Sequence, residues 1–161
     1  MSKTVKVKVQ QQLQTSLPVL KQLCARNKHV VALWLFGSLT DGYAHERSDI
    51  DLAVLWDSEL TFHDELNFEL AVCRVLGTER VDVVHLQRAP LELRFRAISG
   101  QLLYERDEVR VSDFIEQTIT QYQEFTLYWN QFSQDYLEGI RQDYGRMRRE
   151  TRTQSIARHR N

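Results

Sequence analysis

Two acidic side chains, Asp49 and Asp51, open the apolar run in "DIDLAVLW", and shortly before them another apolar run, "HVVALWLF", closes on Gly37 and Ser38. In a strand alternate side chains share a face, so Asp49 and Asp51 project together while Ile50 and Leu52 take the other side. A third acid, Asp82, lies in "RVDVVHL" further on. If it sits on a neighbouring strand at the same height, each pair of carboxylates repels by about 3 to 4 kcal/mol at a 5 Å separation and an effective dielectric of 20. That is a large part of a domain's stability. Oxygen ligands without His or Cys suit a hard divalent cation such as Mg²⁺, which completes its shell with water and substrate phosphate. Gly37 and Ser38 supply the other half of such a site: a glycine lets phosphate oxygens approach the backbone, and amides with a hydroxyl can donate to them. Either acid alone could equally be a turn or cap residue. The combination at the two ends of one loop points to phosphoryl or nucleotidyl transfer.

The surrounding pattern supplies the elements that must hold these groups. "HVVALWLFGS" is short, continuous and β-rich, as expected of a strand covered on both faces, and "DIDLAVLW" and "RVDVVHL" read as a second and a third. Residues 39–48 read as a loop. Alternation in "VKVKVQ" is compatible with a short strand, and Ser16 ahead of Pro18 predicts a helix over 17–27 with Leu17, Leu20 and Cys24 on one face. "TFHDELNFELAVCRVLG" is a helix closed by Gly77. "PLELRFRAISG" is a short helix, "QLLYER" a fourth strand, and residues 111–149 a long helix. The fold class is α/β (α+β), a small mixed sheet with flanking helices and a long C-terminal helix.

At 161 residues the chain has the size of one domain, with ordinary apolar and charged fractions of 42% and 27%. No apolar segment approaches the length of a membrane span, and the first residues lack the apolar core of a signal peptide, so a cytoplasmic protein is expected. Cys24 and Cys73 lack the paired spacing of a zinc or redox site and are read as core thiols. Charge is uneven. Residues 141–161 carry seven arginines against two acids, net +5, whereas the first 140 hold 14 bases and 20 acids, net −6. A basic end on an acidic body suggests contact with something acidic.

The motif "GSLTDGYAHERSDIDLAV" with its later aspartate resembles the DNA polymerase β-like nucleotidyltransferase superfamily, and the compactness resembles its minimal, MntA-like antitoxins paired with HEPN ribonuclease toxins. The resemblance covers roughly residues 17–105. It implies that Gly37 and Ser38 hold the triphosphate of ATP, that Asp49 and Asp51 ligate two Mg²⁺ ions, and that Asp82 ligates the catalytic one and helps deprotonate the attacking hydroxyl. It further implies transfer of AMP to a tyrosine of a cognate HEPN toxin, in a hetero-oligomer with it. The domain layout expected is a nucleotidyltransferase domain over 1–110, a helical region over 111–149 packed on it, and a basic, flexible tail over 150–161. Nucleic acid is not expected as a partner except through that tail. One departure is Asp41, where many members carry a base that would offset phosphate charge.

Two other readings share these residues. A small-molecule adenylyltransferase of the aminoglycoside-modifying kind would differ only in acceptor, and an antitoxin acting by binding alone would leave the acids idle. Arg152 and His159 imitate the short Arg-to-His motif of HEPN nucleases but lack its helical bundle. His45 and His63 are read as surface residues, His85 as a strand-end residue, and Tyr43 as an ordinary loop tyrosine rather than one that stacks on a base. The aromatic residues between Phe114 and Tyr136 are read chiefly as packing on the sheet.

Overall fold

The computed structural model describes residues 2–41 and 49–158 of the chain. Its elements run α1 (Ser2–Arg26), β1 (Val30–Phe36), α2 (Ser38–Asp41), β2 (Ile50–Trp56), α3 (Phe62–Leu76), β3 (Val81–His85), α4 (Leu91–Ile98), β4 (Gln101–Glu105) and α5 (Glu108–Arg158). The four strands form one mixed sheet in the order β3-β2-β1-β4, with β2 antiparallel to β1, β4 antiparallel to β1, and β3 parallel to β2. This is the expected mixed-sheet α/β fold.

Strands β1 and β2 sit at the centre, and all their side chains except Asp51 are buried. Their alternation builds two cores. Leu33, Leu35, Leu52 and Val54 pack with Leu20 and Cys24 of α1 and with Phe68, Val72 and Leu76 of α3. Trp34, Phe36, Ala53 and Leu55 pack on the other face with Ala97 of α4 and Val111 of α5. Continuous apolar strands are what a sheet covered on both faces requires. Burial raises the Cys24 thiol to about 12, as befits a core thiol, and both cysteines are free.

Helix α1 departs from expectation. It starts at Ser2 rather than near residue 17, so "VKVKVQ" is helical and Pro18 lies inside the helix. The apolar face runs one turn further back than Leu17, to the buried Leu13, and the Gln12 amide donates to the Leu76 carbonyl at the end of α3. Those contacts outweigh the one helix hydrogen bond that a proline nitrogen cannot make. Helix α3 is as read: Thr61 caps its first turn, and Gly77, with φ of 64°, closes it. The start of α5 is capped by Asp107, whose carboxylate accepts from the Arg110 amide at 3.1 Å.

At the end of the sheet where β1 begins, Arg106 ties the chain together. Its Nη1 donates to Lys28 O at 2.9 Å, and its Nη2 reaches Asn27 O at 2.8 Å, Ala25 O at 3.0 Å and Cys24 O at 3.1 Å. These carbonyls lie where α1 ends and its helical hydrogen bonds run out, the Asn27 carbonyl accepting from the Val30 amide as well, and a cation there also complements the helix dipole. Nearby in β2, Trp56 Nε1 donates to His85 Nδ1 at 2.9 Å, which leaves the imidazole proton on Nε2, 2.8 Å from Glu69 Oε1. The buried Glu65 is paired with Arg88.

Two units can be distinguished, Met1–Thr120 and Gln121–Asn161. Within the first, Phe114 and Ile115 pack on the core and Thr118 is buried. Within the second, the helix presents Phe125, Trp129, Phe132 and Tyr136 exposed, unlike the packed aromatics expected. Among the described residues no helix is long and apolar enough to cross a membrane.

Replacing Arg106 by Ala is expected to lower unfolding free energy by about 1 to 3 kcal/mol, since several carbonyls lose a charged donor. Arg106→Lys should recover only part of that loss, because one ammonium cannot span four acceptors. Urea titration followed by circular dichroism measures both.

Candidate active site

Strand β1 ends at Phe36, and Gly37 turns the chain with φ of 75°, in the left-handed region that favours glycine. Helix α2 follows at once, a four-residue turn in place of the expected start of a loop. Thr40 closes it, donating from its amide at 3.0 Å and its hydroxyl at 2.8 Å to the Gly37 carbonyl, and Leu39 anchors it in the core.

The strand register brings the acids to this turn. Phe36 pairs with Asp51 across β1 and β2, and Asp51 pairs with Asp82 across β2 and β3. Asp51 and Asp82 therefore project from the same face at the same height, as predicted. Gly37 lies against the first of them so closely that a Cβ built on it would stand 2.0 Å from Asp51 Oδ2. The Ser38 backbone amide donates to the Asp51 carboxylate.

Electrostatics mark Asp51 as the unusual member. Burial raises its pKa above the ordinary 3.8, and the charge of Asp82, then that of Asp49, raises it further. The Ser38 amide and the Arg96 guanidinium pull the other way. Asp49 stands just outside β2, where Arg80 Nε donates to its Oδ1 at 3.1 Å, with both side chains about half exposed. So Asp51, Asp82 and the Gly37-Ser38 backbone converge closely, while Asp49 stands within electrostatic reach, held by Arg80. Among the described residues no three acids, histidines or cysteines already form a closed metal-binding group.

Arg80 and Arg96 were missed by sequence reasoning. Arg80 directly precedes the strand that carries Asp82, which was the available signal; Arg96 reaches the site from α4, which only the fold reveals. Tyr43, His45 and the rest of residues 42–48 lie outside the described residues, as does the side chain of Asp41. A cavity of about 620 Å³ lined by Leu13, Leu17, Leu35, Leu39, Thr40 and Gly100 lies on the α1 side and contains none of the acids.

Chemically the arrangement is an all-oxygen set with too much negative charge for its degree of burial, flanked by a bare backbone turn. A hard divalent cation fits it: the donors are right, and the raised Asp51 pKa reports a carboxylate that a cation would relieve. Phosphate oxygens could approach the turn at Gly37 and Ser38 beside the Asp51 carboxylate that rests on it, once a cation offsets that charge.

A sequence model of the family described as "Polymerase beta, Nucleotidyltransferase" matches residues 19–109. The fold is similar to that of a solved toxin–antitoxin structure with AMP-PNP, at 25% identity and a TM-score of 0.59 over 72% of this chain and 94% of that one. It is similar also to the toxin–antitoxin MntA–HepT, at 22% identity and 0.59 over 77% and 98%. A tri-AMPylated Shewanella oneidensis HEPN toxin in complex with MNT antitoxin gives 21% and 0.53 over 85% and 99%. No curated protein sequence matches significantly.

The raised pKa of Asp51 has a sign that can be checked. Its ionisation costs the folded state nothing below the unfolded value near 3.8 and progressively more as pH rises through the higher folded value. Asp51→Asn should therefore melt a few degrees above the parent at pH 7 in metal-free buffer, with the gain vanishing as pH falls below 4. Differential scanning calorimetry across that range gives the answer.

Proposed function

The chain belongs to the polymerase beta nucleotidyltransferase family, and from that premise we propose that it is an antitoxin that transfers AMP from ATP to a tyrosine hydroxyl of a cognate HEPN ribonuclease toxin, silencing it. The observation that carries the catalytic half is the contact of Gly37 with Asp51 and the pairing of Asp51 with Asp82 at one height. The acceptor half is supported by the resemblance to toxin–antitoxin structures, one of them with a non-hydrolysable ATP analogue, and by a tri-AMPylated HEPN toxin in complex with an antitoxin of this fold.

Gly37 and the Ser38 amide and hydroxyl hold the triphosphate. Asp49, Asp51 and Asp82 would hold two Mg²⁺ ions, which would supply neutralisation of the charge that develops on the attacking and leaving oxygens. The tyrosine oxygen forms a bond to the α-phosphorus, the bond from that phosphorus to the β-phosphate bridging oxygen breaks, and pyrophosphate leaves. The phenolic proton passes to the Asp82 carboxylate, the more exposed of the strand pair. Arg80, which donates to Asp49 Oδ1, would orient the Asp49 carboxylate while its remaining lone pairs face the metal. Transfer belongs to residues 1–110, while residues 111–149 and the basic tail over 150–161 serve the toxin, which supplies its own acceptor. The pair works in the cytoplasm.

Incubating the purified chain with ATP, Mg²⁺ and the HEPN protein encoded beside it should add one AMP mass, or multiples of it, to the partner in intact-mass spectra. Asp82→Asn is expected to slow this at least about 10²-fold. In addition, Mg²⁺ with AMP-PNP should raise the melting temperature of the parent and not that of Asp51→Asn. An unchanged partner mass removes the proposal. Protection of cells by an Asp49→Ala, Asp51→Ala chain would instead establish an antitoxin acting by contact alone.

A further inference from the structure

Helix α4 ends beside the acids, and it carries a cation there. Phe36 and Asp51 face each other across β1 and β2, so their side chains leave the same face of the sheet. Ala97 of α4 is buried in the apolar layer on that face, in one cluster with Phe36. Gly100, just beyond the helix, is pressed onto the last residues of β1: a Cβ built on it would strike the Leu35 carbonyl oxygen and stand 2.9 Å from Phe36 Cβ. The last turn of α4 is thereby fixed over the end of β1, and Arg96 is the base in that turn. Its side chain is exposed, and its charge is felt at the Asp51 carboxylate. Arg80 is paired with Asp49 and Arg88 with Glu65. Among the described residues Arg96 has no such ion-pair partner. A base that only complemented the dipole of α4 would serve as well on any side of the last turn. Arg96 takes the side that faces Asp51.

The strand order gives this end of the sheet a direction. Across it stand Asp82 on β3, Asp51 on β2, Gly37 after β1 and Gly100 before β4, on strands about 4.8 Å apart. In the proposed reaction a hydroxyl that yields its proton to Asp82 attacks from one end of this row, and in-line displacement sends the leaving group toward the other. We propose that Arg96 is a phosphate-binding residue at that far end, holding the β- and γ-phosphates that lie on the Gly37-Ser38 turn. The proposal rests on the nucleotide-transfer reading above and adds to it the group that receives the pyrophosphate. When the bond from the α-phosphorus to the bridging oxygen breaks, its electron pair goes to the pyrophosphate, whose oxygens accept from the guanidinium. A planar fork of donors matches two phosphate oxygens and keeps its charge at any physiological pH. Charge balance calls for it as well, since three carboxylates and a triphosphate exceed what two divalent ions offset.

Isothermal titration calorimetry of the full chain, in Mg²⁺ with AMP, ADP and AMP-PNP in turn, tests this without a toxin. The parent should bind more tightly with each added phosphate. Arg96→Ala is expected to weaken AMP-PNP roughly 10- to 100-fold, the loss of a charged double donor, and to leave AMP as it was. Arg96→Lys should fall between parent and Arg96→Ala, because it restores the charge without the fork. Since the side chain is exposed, both variants should keep the parent's helical circular dichroism. Equal weakening for all three nucleotides would make Arg96 a merely structural residue and overturn the inference, as would unchanged AMP-PNP binding by Arg96→Ala. A parent that binds none of the three overturns the nucleotide-transfer reading itself, so the two failures are told apart.

Discussion

A half-buried carboxylate at the end of a central strand is the constraint on which the rest of this molecule turns. Asp51 is the one position in the two central strands that is not fully buried, and it faces a second acid across the parallel register. Partial burial of Asp51 penalises its charge, and the structure answers with an amide from Ser38 and a guanidinium from Arg96. Those two donors leave the charge only partly compensated, which is the condition of a site prepared for something positive.

Rigidity elsewhere makes that imbalance tolerable. Apolar side chains cover both faces of β1 and β2 around Asp51, so neither strand can slide to move Asp51 away from Asp82, since a shift by one residue would turn its apolar set toward the wrong layer. At the far end of the same strands the polar groups are satisfied: Arg106 saturates the end of α1, and His85 is held between an indole and a carboxylate. The strained charge lies at one end of the sheet, and the fully paired networks lie at the other.

Much of this could be read from residue order because the central strands are short and almost wholly apolar, and because glycine, paired acids and strand ends coincide in "GSLTDGYAHERSDIDLAV". The register that sets Asp82 beside Asp51 follows once three strands are recognised. Helix α1 was misjudged because local rules, the alternation in "VKVKVQ" and a proline at 18, outrank periodicity in a short window, whereas Leu13 and Gln12 act through partners far along the chain. Helix α2 is too short to show any period. Arg106 was invisible for a different reason: its acceptors are backbone carbonyls distant in sequence, which leave no trace in residue type. The direction faced by the aromatics after Tyr122 was likewise undetermined, because the same spacing serves a core and an interface.

The contact between Gly37 and Asp51 also restricts how such a protein can change over generations. Any side chain at position 37 would strike the carboxylate, so the glycine cannot be lost first without breaking the turn. The aspartate, by contrast, can shorten to alanine at little structural cost and would free the space beside it. Descendants that abandon chemistry while keeping their fold should therefore lose the acid before the glycine, and a bulkier residue at the turn would be a record of an activity already gone.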